Sequence, residues 1–153
     1  MSDGGNSAVG VLWGGLIAGT MDITAAILTW KIKANAPPIR ILQSVASGWL
    51  GKDAFDGGWR TGILGLAFHF LIAFTATAVF YFASRKVGFM LSSVYAAGVL
   101  YGVMVYGFMY WVVVPLSNAR RGPFSWQMTI VAVITHIACV GLPIALSVKR
   151  FSR

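Results

Sequence analysis

Hydrophobic residues run along this chain in four long blocks, parted by shorter polar or basic stretches. A helix needs roughly 20 apolar residues to cross the hydrocarbon core of a bilayer. Four segments reach that length, at about 9–30, 62–84, 93–116 and 127–148. Asp22 interrupts the first, and the second holds no Asp, Glu, Lys or Arg. Spanning strands would alternate apolar and polar positions, which these runs do not. The pattern predicts an all-α integral membrane fold: one domain over residues 1–153, built as a four-transmembrane-helix bundle. Ser125, just before the last block, is a fitting N-cap. Trp30, Trp59, Tyr81, Trp111 and Trp126 fall near the expected helix ends, where amphipathic rings favour the membrane interface.

The link between the first two blocks is too long for a tight turn. Pro37-Pro38 opens a stretch in which Ile39, Leu42, Val45, Ala46 and Trp49 share one helical face. Arg40, Gln43, Ser44 and Ser47 fall largely on the other. This predicts an interfacial amphipathic helix over about 38–50, between helices one and two, with Ile39, Leu42 and Trp49 buried. A polar turn carrying Asp53, Asp56 and Arg60 follows. With Arg40 it forms an interfacial loop that acts either as a packing lid with a solvated turn or as a cover over a substrate path.

Composition agrees with the pattern. Hydrophobic residues make up 58% and charged residues 10%, where a soluble domain carries about 25% charged. The formal net charge is +8. The basic residues flank apolar runs, as Arg85-Lys86, Arg120-Arg121 and Lys149-Arg150 do, which fits lipid headgroups as partner and not nucleic acid. The lone Cys139 excludes an internal disulfide. The first apolar stretch runs on too far for a cleavable signal peptide and reads as a retained helix. Four crossings place both termini on one side, with basic residues at 85, 86, 149, 150 and 153; the other side carries 31, 33, 40, 52, 60, 120 and 121. The positive-inside rule then leans toward a cytoplasmic long loop. Val11-Leu-Trp-Gly14 also echoes Val99-Leu-Tyr-Gly102, with Gly19 and Met21 matching Gly107 and Met109 at the same offset. That faint parallel repeat sets Asp22 opposite Tyr110.

Three ionisable groups fall inside the spans: Asp22, His69 and His136. At about 1.5 Å per residue they lie roughly 12, 10 and 13 Å from the long-loop side, and Tyr110 lies roughly 9 Å from it. Each helix thus brings one polar group to a similar level. Small residues surround them: Gly15, Ala18, Gly19 and Ala26 near Asp22; Gly62, Gly65, Ala73 and Ala76 near His69; Thr129, Ala132 and Cys139 near His136. Such faces suit helix–helix contact. Pro143 also frees the Cys139 carbonyl from its helical bond. Polar groups in lipid are costly and turn toward a cavity or a partner, so Asp22 is expected to meet a histidine inside the bundle.

The run Gly14-Gly-Leu-Ile-Ala-Gly-Thr-Met-Asp22, the segment from Pro38 to Gly48 with Arg40, His69, and Pro123-Phe-Ser125 together resemble a group of small bacterial inner-membrane proteins. More distantly, they resemble the YagU-like membrane proteins. The resemblance covers nearly the whole chain. It implies four spans and a bacterial inner membrane, and it transfers no catalytic residue.

The expected function is a membrane protein whose Asp/His cluster handles protons or a small solute. One alternative is an accessory subunit that lends its surface to a membrane-protein partner or to another copy of itself. Another is a bis-histidine protein in which His69 and His136 ligate haem or a metal. No phosphate-binding glycine loop, H-E-x-x-H, C-x-x-C or G-x-S-x-G motif is present, and there is no Glu at all. The balance of motifs is against an enzyme.

Overall fold

The computed structural model describes residues 3–151 except Arg121, with side chains from residue 8 onward. Arg153 and Arg121, two of the flanking basic residues, lie outside the described residues. The described residues contain helices and no strand. Four of these helices are long and apolar enough to cross a membrane. They are α1 (Asp3–Ala34), α3 (Gly58–Lys86), α4 (Val94–Leu116) and α5 (Trp126–Phe151), with the shorter α2 (Pro38–Leu50) between the first two.

The ends follow from local chemistry. Helix α1 stops at Asn35, whose φ of 50° is the left-handed conformation that Asn tolerates. Its N–H bonds the Lys31 carbonyl, and the Ala36 N–H reaches back to the Trp30 carbonyl. Pro37 and Pro38 then bar continuation, and Pro38 starts α2 from a position where its missing N–H costs nothing. Gly51, at φ 62°, closes α2. The Ser125 hydroxyl accepts the Met128 N–H at 3.5 Å and caps α5.

Two helices widen where prolines interrupt their hydrogen bonding. Helix α4 carries a π-helical turn at Met109–Val113, just ahead of Pro115. Helix α5 carries one at His136–Gly141, just ahead of Pro143. A proline cannot donate to the carbonyl four residues back and crowds it. The turn before it relaxes by shifting bonds to five residues back: the Val114 N–H bonds Met109 and the Leu142 N–H bonds Ile137.

In the bundle α1 lies between α3 and α5, and α5 lies between α1 and α4. Helices α4 and α5 cross with backbones nearly touching: a Cβ on Gly141 would strike the carbonyl of Gly98 and the backbone of Gly102. Helices α3 and α4 scarcely touch. They meet at Phe80 and Tyr101, whose rings are 5.0 Å apart, where the Tyr101 hydroxyl donates to the Ala76 carbonyl at 2.6 Å. The solid core lies in that half of the bundle, around Ala18, Phe80, Ala97, Ile144, Ala145 and Val148. The other half, toward the α1–α3 link, holds a partly open cavity beneath α2.

Helix α2 presents a different face from the one its apolar pattern implies. Ile41, Gln43, Ala46 and Ser47 are buried, Ile39 and Leu42 are half-buried, and Trp49 is 73% exposed. The reason is backbone contact. Gly65 of α3 sits against the Leu42 carbonyl and the Ala46 amide, so the side of α2 carrying those residues meets α3. Gln43 can be buried there because its amide donates to the Gly58 carbonyl at 3.1 Å and the Thr61 hydroxyl at 3.3 Å. At its far end the Asn118 side chain donates to the Trp49 carbonyl at 2.8 Å and the Asn118 N–H to the Gly48 carbonyl at 2.9 Å. Helix α2 is therefore pinned to both neighbouring segments.

Candidate functional site

Asp22, His69 and His136 line one cavity of about 240 Å³. Helix α1 contributes Ala18, Gly19, Asp22, Ile23 and Ala26. Helix α3 adds His69, Ile72, Ala73 and Ala76; α4 adds Val105 and Met109; α5 adds His136 and Val140. Ile41, Ser44 and Val45 of α2, with Trp30, line the end toward the long link. Apart from Asp22, the two imidazoles, Ser44 and the Trp30 ring, the lining is aliphatic. Its volume lies below the roughly 300–1,000 Å³ of pockets that enclose drug-sized ligands. It suits water, protons and small solutes better than a tetrapyrrole.

Each histidine is tied by one nitrogen. His69 Nε2 is 2.8 Å from the Gly19 carbonyl oxygen, across the α1–α3 contact. His136 Nδ1 is 2.8 Å from the Ala132 carbonyl oxygen of its own helix. A carbonyl only accepts, so in both cases the ring nitrogen carries the proton and donates. The neutral rings are thereby opposite tautomers. Nδ1 of His69 and Nε2 of His136 keep their lone pairs, and neither makes a protein hydrogen bond among the described residues. Such anchoring of one ring nitrogen fixes the other's direction.

The sequence leads one to expect Asp22 in hydrogen-bond or one-water contact with a histidine, and the structure sets the carboxylate and both rings on one cavity. Among the described residues no hydrogen bond or ion pair joins the Asp22 carboxylate to either imidazole. The carbonyls of Gly19 and Ala132 hold one nitrogen of each ring, and the carboxylate shares the cavity with the rings. Nor do three of His, Cys, Asp and Glu converge on a common metal position among the described residues.

Tyr110 does not line the cavity; Met109 occupies that position on α4. Tyr110 stacks on Tyr106 at 5.8 Å, and Tyr106 stands edge-on to His136 at 5.5 Å. Tyr110 thus supports the ring that packs on His136. The offset that aligns Met21 with Met109 does not carry over to environment, since Met21 is exposed while Met109 faces the cavity. The small-residue face near His69 divides as well. Ala73 and Ala76 reach the cavity, whereas Gly62 and Gly65 take α2 against them.

The interfacial-loop residues lie apart from the cavity. The Arg40 guanidinium donates to the Phe55 carbonyl at 3.3 Å and lies 5.5 Å from the Phe55 ring. Asp53, Asp56 and Arg60 are exposed. Their turn is held from within, by the Thr61 hydroxyl donating to the Ala54 carbonyl at 2.6 Å. Sequence reasoning missed Ser44, Met109 and Val105 as cavity residues. For Met109 the available signal was Pro115, two residues beyond its π-helical turn, because π turns recur at functional sites. Comparison with protein-family models, curated proteins and solved structures finds no match to this chain.

Proposed function

We propose that this is a multi-pass protein of the bacterial inner membrane, crossing it four times with the long link on the cytoplasmic side, and that its cavity takes up and passes protons or a small polar solute. The membrane reading is supported by where the apolar surface lies. Leu12, Leu28, Leu71, Phe82, Met104 and Ile134 are among many large side chains more than half or about half exposed on the outer faces of the four helices. A soluble monomer does not expose so much contiguous apolar surface. Basic residues gather at the helix ends. In this arrangement α2 lies at the interface, with Trp49 among the headgroups.

One observation carries the functional reading: three helices bring a carboxylate and two imidazoles to a single cavity, and each imidazole keeps one nitrogen uncommitted. A ring held by one N–H accepts a proton on the other nitrogen and releases it again without reorienting. The cavity has room for several water molecules, at roughly 30 Å³ each, which would bridge the groups.

The test is proton flux in proteoliposomes carrying an internal pH dye, driven by an imposed potassium diffusion potential. Asp22→Asn is expected to cut the protein-dependent flux by about a hundredfold, the scale of losing one acid–base group. A flux that Asp22→Asn leaves unchanged, or a wild-type rate equal to that of protein-free vesicles, would defeat the reading.

A further inference from the structure

Helices α3 and α4 part company beyond the Phe80–Tyr101 contact, and a second space of about 500 Å³ lies between them. Its walls are Leu71, Thr75 and Val79 on one side and Met104, Phe108 and Val113 on the other. It offers no spare hydroxyl: Thr75 donates to the Leu71 carbonyl at 2.7 Å, and Tyr101 donates to that of Ala76. Leu71 and Met104 are 61% and 65% exposed, so the groove opens on the outer surface of the bundle.

This groove adjoins the polar cavity. Ile72, Ala76, Val105 and Met109 line both spaces. The partition is two short or branched side chains, an alanine and a pliable methionine. Met109 begins the π-helical turn of α4. An apolar groove parted from a carboxylate-lined cavity only by those four side chains offers two distinct ends, one for an aliphatic chain and one for a head. A helix of a partner protein would fill the groove and leave the cavity groups unmet. Simple lipid chains would do the same.

The head end selects by charge. Asp22 is the one acidic side chain of the cavity, both free imidazole nitrogens are acceptors in the neutral rings, and no Lys or Arg lines either space among the described residues. A carboxylate with two acceptors and no basic neighbour calls for a donor-rich cation. We propose that the gap between α3 and α4 is a lateral binding site for a single-chain lipophilic amine, its chain in the groove and its ammonium beside Asp22. This names the solute of the cavity and rests on the membrane reading above.

The experiment is equilibrium binding of radiolabelled dodecylammonium to the full chain in phosphatidylcholine nanodiscs, with empty nanodiscs subtracted. Saturable binding is expected at about one site per chain. Dodecanol, with the same tail and no charge, is expected to compete about tenfold less well, since one charge-assisted contact is worth at least that factor. Asp22→Asn should weaken dodecylammonium by a similar factor, and Ala76→Phe, which fills the junction, should abolish saturable binding. Absence of saturable binding to the wild type overturns the proposal, as does dodecanol competing equally well. The wild-type competition stands whether or not the variants fold. Proton flux lost in Asp22→Asn while the wild type ignores dodecylammonium would sink the amine site and leave proton handling standing. Amine binding without any Asp22-dependent flux would do the reverse.

Discussion

At the scale of single residues, the two histidines do different structural work although they face one cavity. His69 donates across a helix contact, from α3 to the Gly19 carbonyl of α1. His136 donates within its own helix, to Ala132. Only the first bond joins two helices. Hydrogen bonds between helices in a membrane average about 0.6 kcal/mol and reach about 1.7. His69→Phe, which keeps an aromatic ring, should therefore lower stability by about 1 kcal/mol, and His136→Phe by a smaller amount. Reversible unfolding in mixed detergent micelles measures both. Equal losses would mean that the Gly19 bond does not hold α1 to α3. Neither residue's tether was visible in the sequence, where depth and helical face placed Asp22 beside a histidine. Depth was a sound guide to a shared cavity. It did not reveal the carbonyls that tether the rings, because a main-chain oxygen occurs at every residue and leaves no mark in the sequence.

At the scale of helices, close approach depends on glycines at a few crossings. Gly141 of α5 lies against Gly98 and Gly102 of α4, and the atoms a Cβ would strike are backbone, which cannot swing aside. Gly141→Ala should cost about 1–3 kcal/mol, the range for overpacking a filled interface. It should also shift the His136–Gly141 turn and so disturb the cavity. Gly88→Ala is the control: nothing lies within 4 Å of its Cβ, and its φ of −57° suits any residue. That change should stay within about 0.5 kcal/mol. Thermal unfolding in detergent distinguishes the two, and similar midpoints would argue against the tight α4–α5 crossing. The same logic accounts for α2. Its apolar periodicity was legible and its helix forms over the expected residues, yet its orientation follows from Gly65, a residue of another helix. Gln43 and Ser47 are buried because the α2 backbone lies on Gly65, an outcome no hydrophobic pattern within α2 could announce.

At the scale of the whole molecule, the proposed four crossings require both ends on one side and the α1–α3 link on the other. Cysteines placed at positions 7 and 152 in a Cys139→Ala background should show the same accessibility to an impermeant maleimide. A cysteine at the exposed Asp53 should show the opposite one. Opposite labelling of the two ends would mean that one apolar helix does not cross, the first being the weakest because Asp22 interrupts it. The sidedness also bears on the cavity, which lies in the half of the bundle nearer that link and under α2. A polar cluster near one face needs a path only part-way through the bilayer from that side, while the packed half around Phe80 and Ile144 seals the other.

The amino-acid sequence determined, by itself, the number, length and type of the main elements. Continuous apolar runs of about 20 residues have few alternatives to a long helix, and Pro38 and Ser125 mark two of the starts at which helices are found. It also identified Asp22, His69 and His136 as the ionisable groups to watch, since charge is scarce in such runs. Tertiary structure decided what those groups touch. The neighbours of α1, the parting of α3 from α4 and the seating of α2 on Gly65 depend on which small-residue face meets which helix, and several faces here are small enough to serve. Local sequence sets the shape of a helix, whereas the choice among near-equivalent faces is a balance of packing over the whole bundle. That balance made one cavity from residues of five helices and left an apolar groove beside it.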